Sequence, residues 1–282
     1  LGTLYLVSTP IGNLGDISPR AEETLRSVDR ILTEDTRRSR LLAQKAGSKA
    51  PLVSLHAHNE RERSKRILSW LSNGEDLALL SDAGTPLVSD PGGRTVAGAI
   101  ESGHRVVPIP GPSAVLSALI ASGLPSERFA FLGFPERKGN KRKAFFERVA
   151  LSNETVVLFE SPRRLVVLLD ELAEKCGHDR QGAVARELTK VHEEIMRGTL
   201  TELAAHYRES VPKGEVTLVI APNEQILDEA AQAVEARALC NDLLDRGMKP
   251  SEVAKEVAES LALARNEAYR IVHELQRSRN SG

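Results

Sequence analysis

Short β-branched runs alternate with capped helical stretches through the first 110 residues, and few folds accept that rhythm. Residues 4–7, 30–33, 52–55, 77–80 and 105–109 read as strands. Ser18 before Pro19 opens one intervening helix, Thr36 is placed to cap a second that Gly47 closes, and residues 60–71 and 90–102 supply two more. Strand–helix–strand repetition predicts a parallel sheet covered by helices on both faces. The next stretch keeps the alternation but crowds its strands. A helix from Pro112 to Gly123 leads to runs at 129–132 and 155–159, and Ser161-Pro162 starts a helix to about Lys175. Runs at 183–186, 194–197 and 216–220 follow, and strands this closely spaced predict an α+β half or a mixed sheet. Beyond Pro222 only helical patterns remain, with Gly247 and Pro250 as punctuation and Tyr269, Val272 and Leu275 along a last helix. The expectation is an α/β chain of two domains, 1–111 with a parallel sheet and 112–223 with a mixed sheet, plus a small helical tail over 224–282. Short helices joined by short turns suit a helix-turn-helix and equally a helical cap or dimerisation tail.

Composition narrows the function classes. The 282 residues carry 38 Lys+Arg against 39 Asp+Glu, so binding to a polyanion by bulk charge is excluded. Charge is nevertheless local. Residues 37–49 hold five bases (Arg37, Arg38, Arg40, Lys45, Lys49) and no acid, and residues 137–143 hold Arg137, Lys138, Lys141, Arg142 and Lys143, again with none. The second run, with Gly139-Asn140, reads as a mobile loop. Both runs are candidate phosphate contacts, with solvated faces as the alternative. Two cysteines, Cys176 and Cys240, are too few for a disulfide framework, which points to a reducing cytosol. No apolar run approaches the length of a membrane span, and residues 4–7 are too short for a signal peptide.

Three loops at expected strand ends carry the chemistry, where open α/β sheets bind ligands. The first, Ser8 to Gly15, has Gly12 and Gly15 in the spacing of a dinucleotide loop. Pro10 occupies the first glycine position, fixing φ and removing an N–H, which disfavours a nicotinamide dinucleotide. The second, Leu80 to Gly93, offers Asp82 to a ribose hydroxyl or an amine, Gly84 for close backbone approach, and Asp90 as N-cap of the next helix with Pro91 behind it. The third, Val107 to Ala114, is stiffened by three prolines and brings Ser113 to a helix start.

Taken in this order and spacing, the Pro-containing first loop, Asp82-Ala83-Gly84-Thr85-Pro86 and Pro110-Gly111-Pro112-Ser113-Ala114 resemble the tetrapyrrole methylase superfamily of S-adenosyl-L-methionine-dependent methyltransferases. Four further segments are similar to one branch of it, the bacterial 16S rRNA (cytidine-2′-O)-methyltransferases: Glu34 to Arg37, His56 to Glu60, Phe159 to Arg164 and Ala185 to Lys190. The resemblance spans the whole chain, tail included. It departs at Ala264, where the branch tends to carry a serine before the last helix. The resemblance implies a two-domain homodimer with S-adenosyl-L-methionine folded in a cleft. It assigns Pro10, Asp82, Gly84, Thr85, Ser113, Ala114 and Phe159 to the cofactor. It implies 16S rRNA in the small ribosomal subunit as partner and a cytidine in the decoding region as target, with no metal.

A ribose hydroxyl is a poor nucleophile until its proton is shared, so a base or a nearby cation is required. Asp35, His56, Glu160, Glu187 and Lys190 are candidates, led by Asp35, His56 and Lys190. Ion pairing is the competing role: Asp35 with Arg37 or Arg38, Glu160 with Arg163, Glu187 with Arg186 or Lys190. His56 and His58 alternate on one strand face, yet no third ligand completes a zinc site. Arg37, Arg38, Lys138, Lys141, Arg142 and Arg163 are the expected RNA contacts. With aromatics at 4%, stacking of a single strand is disfavoured, and a structured ribosomal surface with one nucleotide turned out is expected. Rival readings are a tetrapyrrole-precursor or diphthine-type methylase, a nicotinamide-dependent oxidoreductase, and a non-enzymatic RNA-binding module carried by the tail.

Overall fold

β1 (Thr3–Val7), β2 (Arg30–Thr33), β3 (Leu52–Ser54), β4 (Leu77–Leu80) and β5 (Arg105–Ile109) form one all-parallel sheet in the order β3-β2-β4-β1-β5. The structure is a computed structural model that describes residues 1–210, 212–261 and 263–280, with the main chain only over 225–231 and 278–280. Period-two alternation sends Leu77 and Leu79 to one face of the sheet and Ala78 and Leu80 to the other, and all four are buried. Helices α1 (Pro19–Ser27), α2 (Thr36–Lys45), α3 (Glu60–Ser72) and α4 (Gly93–Glu101) connect these strands. Leu25 and Leu42 cover one face, and Ile67 and Leu71 the other.

The second sheet runs β6-β7-β10-β8-β9, built from β6 (Phe129–Phe131), β7 (Thr155–Glu160), β8 (Gln181–Arg186), β9 (Glu194–Thr199) and β10 (Val216–Ile220). Only β6 and β7 pair in parallel; the other neighbours are antiparallel, as the crowded spacing predicts. α5 (Ala114–Ser122) packs Val115, Ala118 and Leu119 onto one face, against Val157, Ala185 and Val219. α6 (Asn140–Ala150), α7 (Pro162–Cys176) and α8 (Leu200–Glu209) share a second core with Val156, Leu158 and Leu218.

Residues 1–150 and 154–221, holding both sheets, form one compact unit. Residues 151–153 and 222–282 form another, of α9 (Glu224–Asp245), α10 (Pro250–Ser260) and α11 (Arg265–Asn280) around Cys240, Val253, Val257 and Ile271. Among the described residues no helix is long and apolar enough to cross a membrane.

Three local expectations change. Asp35, not Thr36, caps α2, accepting from the Arg37 amide at 2.9 Å. α4 starts at Gly93 behind a left-handed Gly92 (φ 118°), so Asp90 caps nothing; its carboxylate accepts from the Ser81 hydroxyl instead. The basic run expected to be a mobile loop enters α6 at Asn140, anchored by Phe146 and Val149. α8 adds a helix to those expected, and Thr199 and Glu202 form a complete capping box at its start.

Candidate active site

Because β1 to β4 are parallel, the segments after them converge on one edge of the sheet. There they border a cavity of about 1020 Å³ whose other side comes from the second sheet. Asp35, Arg37 and Arg38 enter from the β2–α2 junction, His56 from behind β3, and Asp82 and Asp90 from behind β4. Ala114 at the start of α5 and Phe159 and Glu160 at the end of β7 face them. Phe159 stands edge-on to Phe131 (centroids 4.9 Å apart) and against Phe134 (5.4 Å), an apolar wall opposite an acidic one.

The first two loops are latched together. Thr9 and Gly84 exchange two backbone hydrogen bonds, at 2.9 and 3.0 Å, and the Thr9 hydroxyl donates to the Ser81 carbonyl at 3.1 Å. Gly84 holds φ 86°, a conformation glycine adopts without strain. Thr85 Oγ1 donates to the Pro112 carbonyl at 3.2 Å, tying the second loop to the third, where Ser113 caps α5 by accepting from the Leu116 amide at 3.4 Å. Pro10, Gly84, Thr85 and Ser113 therefore lie off the cavity wall and hold its loops in shape, whereas Asp82, Ala114 and Phe159 are on the wall. Gly12 faces the other way: a Cβ there would fall 2.4 Å from Lys190 Cγ and 3.0 Å from the Leu188 carbonyl.

The acids divide by what they touch. Asp35 pairs with Arg37 through its side chain, and that contact with the Arg37 amide pulls its carboxyl down to about 2. A base that weak is unsuited to accepting a hydroxyl proton. Lys190 is absent from the wall; its ammonium binds Glu187 at 2.8 Å and Glu215 at 3.3 Å, and those carboxylates raise its pKa against the opposing pull of burial. Glu160, with 1% of its side chain exposed, pairs with Arg164 at 3.2 Å, one residue beyond the Arg163 expected from sequence. Glu187 pairs with Lys190 and not with Arg186, which is held by Glu194.

His56 and Glu34 remain. Asn59 fixes the His56 ring: its Oδ1 accepts from the His56 amide at 2.9 Å, which turns Nδ2 toward His56 Nε2 at 3.0 Å. The neutral ring then carries its proton on Nδ1, a buried atom with no hydrogen-bond partner in the fold. Glu34, which enters the sequence argument only as the first residue of the segment Glu34 to Arg37, also lines the cavity. Partial desolvation, then the charges of Asp82 and Asp90, push its carboxyl above the ordinary value, against His56 and Arg38. Its sequence signals are its place at a strand's carboxyl end and in the segment Glu34 to Arg37.

Of the expected RNA contacts, Arg37 (88% exposed) and Arg38 (70%) stand at the cavity, and Lys138, Lys141 and Arg163 are exposed. Arg142 departs from expectation. Its guanidinium turns inward, binding Glu171 in bidentate fashion at 3.0 Å for both contacts and the Glu136 carbonyl at 2.7 Å over the Phe146 ring. His56 and His58 rings lie 6.0 Å apart, and among the described residues no group of three or more His, Cys, Asp or Glu is placed to hold a metal.

Comparison with known proteins adds to this geometry. The family model of tetrapyrrole (corrin/porphyrin) methylases matches residues 3–204. The chain is 42% identical over 276 residues to a ribosomal RNA small subunit methyltransferase I of Synechocystis sp., covering 98% of this chain and 99% of the relative. It is 45% identical over 280 residues to the protein of that name from Mesorhizobium japonicum, covering 99% and 94%. Among solved structures it is similar to diphthine synthase, with a TM-score of 0.61 and 17% identity over 81% of this chain and 95% of that one, a likeness of fold alone.

Proposed function

The chain belongs to the tetrapyrrole methylase family, and from that premise we propose that it methylates the ribose 2′-hydroxyl of a cytidine in the decoding region of 16S rRNA, using S-adenosyl-L-methionine. The observation that carries this reading is end-to-end similarity to two ribosomal RNA small subunit methyltransferases. Choice of a cytidine 2′-hydroxyl rests on the segments around Glu34, His56, Phe159 and Lys190 that resemble that branch.

The cavity suits the cofactor and one nucleotide together. At about 1020 Å³ it is at the upper end for a single small-molecule ligand. Acids on one wall and the Phe159 ring on the other match a ligand bearing a sulfonium and an ammonium. Asp82, Ala114 and Phe159 are the wall positions that would hold it, and bound there it supplies an electrophilic methyl group. The chain's own residues do the rest. Glu34, on the cavity wall just past β2, is placed to accept the hydroxyl proton, and its raised carboxyl pKa suits that role. His56, its ring fixed by Asn59, shapes the wall beside the nucleotide. Asp35 holds Arg37 at the mouth, and Lys190 fixes the segment behind Gly12. Arg37, Arg38, Lys138, Lys141 and Arg163 meet RNA phosphates. Positioning supplies much of the rate for so good a leaving group. The protein acts as a homodimer, which gives a partner to Leu116 and Ile120, one turn apart on α5 and 50% and 76% exposed.

Incubation with labelled S-adenosyl-L-methionine and unmodified small subunits tests the reading. Label on one 16S 2′-oxygen is expected. Label on a tetrapyrrole or a protein, with none on rRNA, would overturn it.

A further inference from the structure

Beside the cavity, between edge strand β3 and α3, lies a second hollow of about 350 Å³. Thr36, the first residue of α2, and Ser54, the last of β3, line both, so the two hollows are immediate neighbours. The wall of the smaller one carries Arg30, Arg63, Arg66 and Trp70. Arg63, Arg66 and Trp70 fall at i, i+3 and i+7 of α3, on one stripe of the helix.

Trp70 is half-buried against the core of the first sheet. The Arg30 guanidinium lies 4.4 Å from its ring centroid and that of Arg66 5.1 Å. Arg30 is committed to Glu75, with Nε 2.6 Å from the carboxylate. Among the described residues neither Arg63 nor Arg66 has an acidic partner. An indole ring holds a guanidinium by its flat face and leaves the in-plane N–H fork free. The tryptophan is thus a platform that orders Arg66, whose donors have no partner among the described residues, and such a fork suits phosphate oxygens.

We propose that this hollow binds the phosphodiester backbone of the substrate RNA beside the nucleotide held in the cavity, with Arg63 and Arg66 as the phosphate ligands and Trp70 as the support of Arg66. This rests on the rRNA methylation reading and extends it from the reacting nucleotide to the strand that leads there. With two guanidiniums already against the ring, the ligand is the phosphate and not a stacked base.

The test uses the full-length protein, small ribosomal subunits and a salt series. The double variant Arg63→Ala/Arg66→Ala is compared with Arg61→Ala, an exposed arginine about half a turn round the same helix. Affinity for subunits is measured by direct binding and methylation separately by label transfer. The double variant is expected to bind about tenfold more weakly near physiological salt. Its slope of log affinity against log salt should be shallower by about 1.4 to 1.8, the loss of two phosphate contacts. Affinity for S-adenosyl-L-methionine should be unchanged, and Arg61→Ala should stay within about twofold of wild type. Trp70→Phe, which keeps the core filled, should give a smaller loss of affinity at an intact melting temperature. An unchanged salt slope, or an equal loss from Arg61→Ala, overturns the proposal. So does a shift in sedimentation with the slope unchanged, which would assign the hollow to a protein contact. Wild-type protein that binds subunits without methylating them would end the methylation reading alone, and the slope would still decide the hollow's role.

Discussion

Glu34 and Asp35 are adjacent in the chain and their carboxyls are pushed in opposite directions, because Asp35 has a cation in hydrogen-bond contact whereas Glu34 is partly desolvated and has carboxylates for neighbours. That difference is testable at a single residue. Glu34→Gln should lower single-turnover methyl transfer by about a hundredfold or more, the usual scale for a lost general base, while cofactor affinity holds. Stability should move the other way. A carboxyl whose folded-state pKa is raised lends stability that is full at low pH and drains as pH rises through that value. At neutral pH the charged group opposes folding, so Glu34→Gln should melt higher than wild type at pH 7 and lose that advantage below about pH 4. Equal melting at both pH values would show that the cavity does not perturb Glu34. Sequence alone could not separate the two acids, since both sit at the same strand end. Arg142 was equally opaque: the carboxylate that claims it, on Glu171, lies 29 residues away on another helix.

Elements were more legible than residues because their signals are local. Ser18 caps where its sequence context places it, accepting from the Ala21 amide. All five strands of the first sheet sit where apolar runs put them. The start of α6 is hidden in the sequence because a Gly-Asn pair and dense cations mask a helix whose buried residues are few, Phe146 and Val149. The Gly92 conformation that strips Asp90 of its capping role is a tertiary fit: a Cβ there would fall 2.8 Å from Leu79 Cδ2. α11 lacks a side-chain cap at Ala264, whose carbonyl accepts from the Glu267 and Ala268 amides while its methyl accepts nothing. Ala264→Ser should stabilise residues 222–282 by about 1 kcal/mol, read as slower amide exchange in α11.

At the scale of the molecule, a net charge of -1 averages unlike parts. Residues from 224 onward hold 8 Lys+Arg against 11 Asp+Glu, which leaves 30 against 28 before them. Subunit binding should therefore depend on a small number of placed arginines and respond to salt accordingly. Dimer formation has its own variant: Ile120→Glu, on the solvent side of α5, should shift sedimentation toward the monomer with the melting temperature little changed. A monomeric wild type would remove that part of the reading. The general architecture, a parallel sheet, a mixed sheet and a helical tail, was readable from spacing, whereas the cavity joining loops from both sheets was not, because its walls are assembled across large sequence separations. The paired hydrogen bonds between Thr9 and Gly84 have a further consequence for anyone recombining this protein with a relative. Residues 8–15 and 81–93 behave as one heritable part. A chimera that inherits the first loop from one parent and the second from another risks a misfitted cavity floor even when every wall residue is retained.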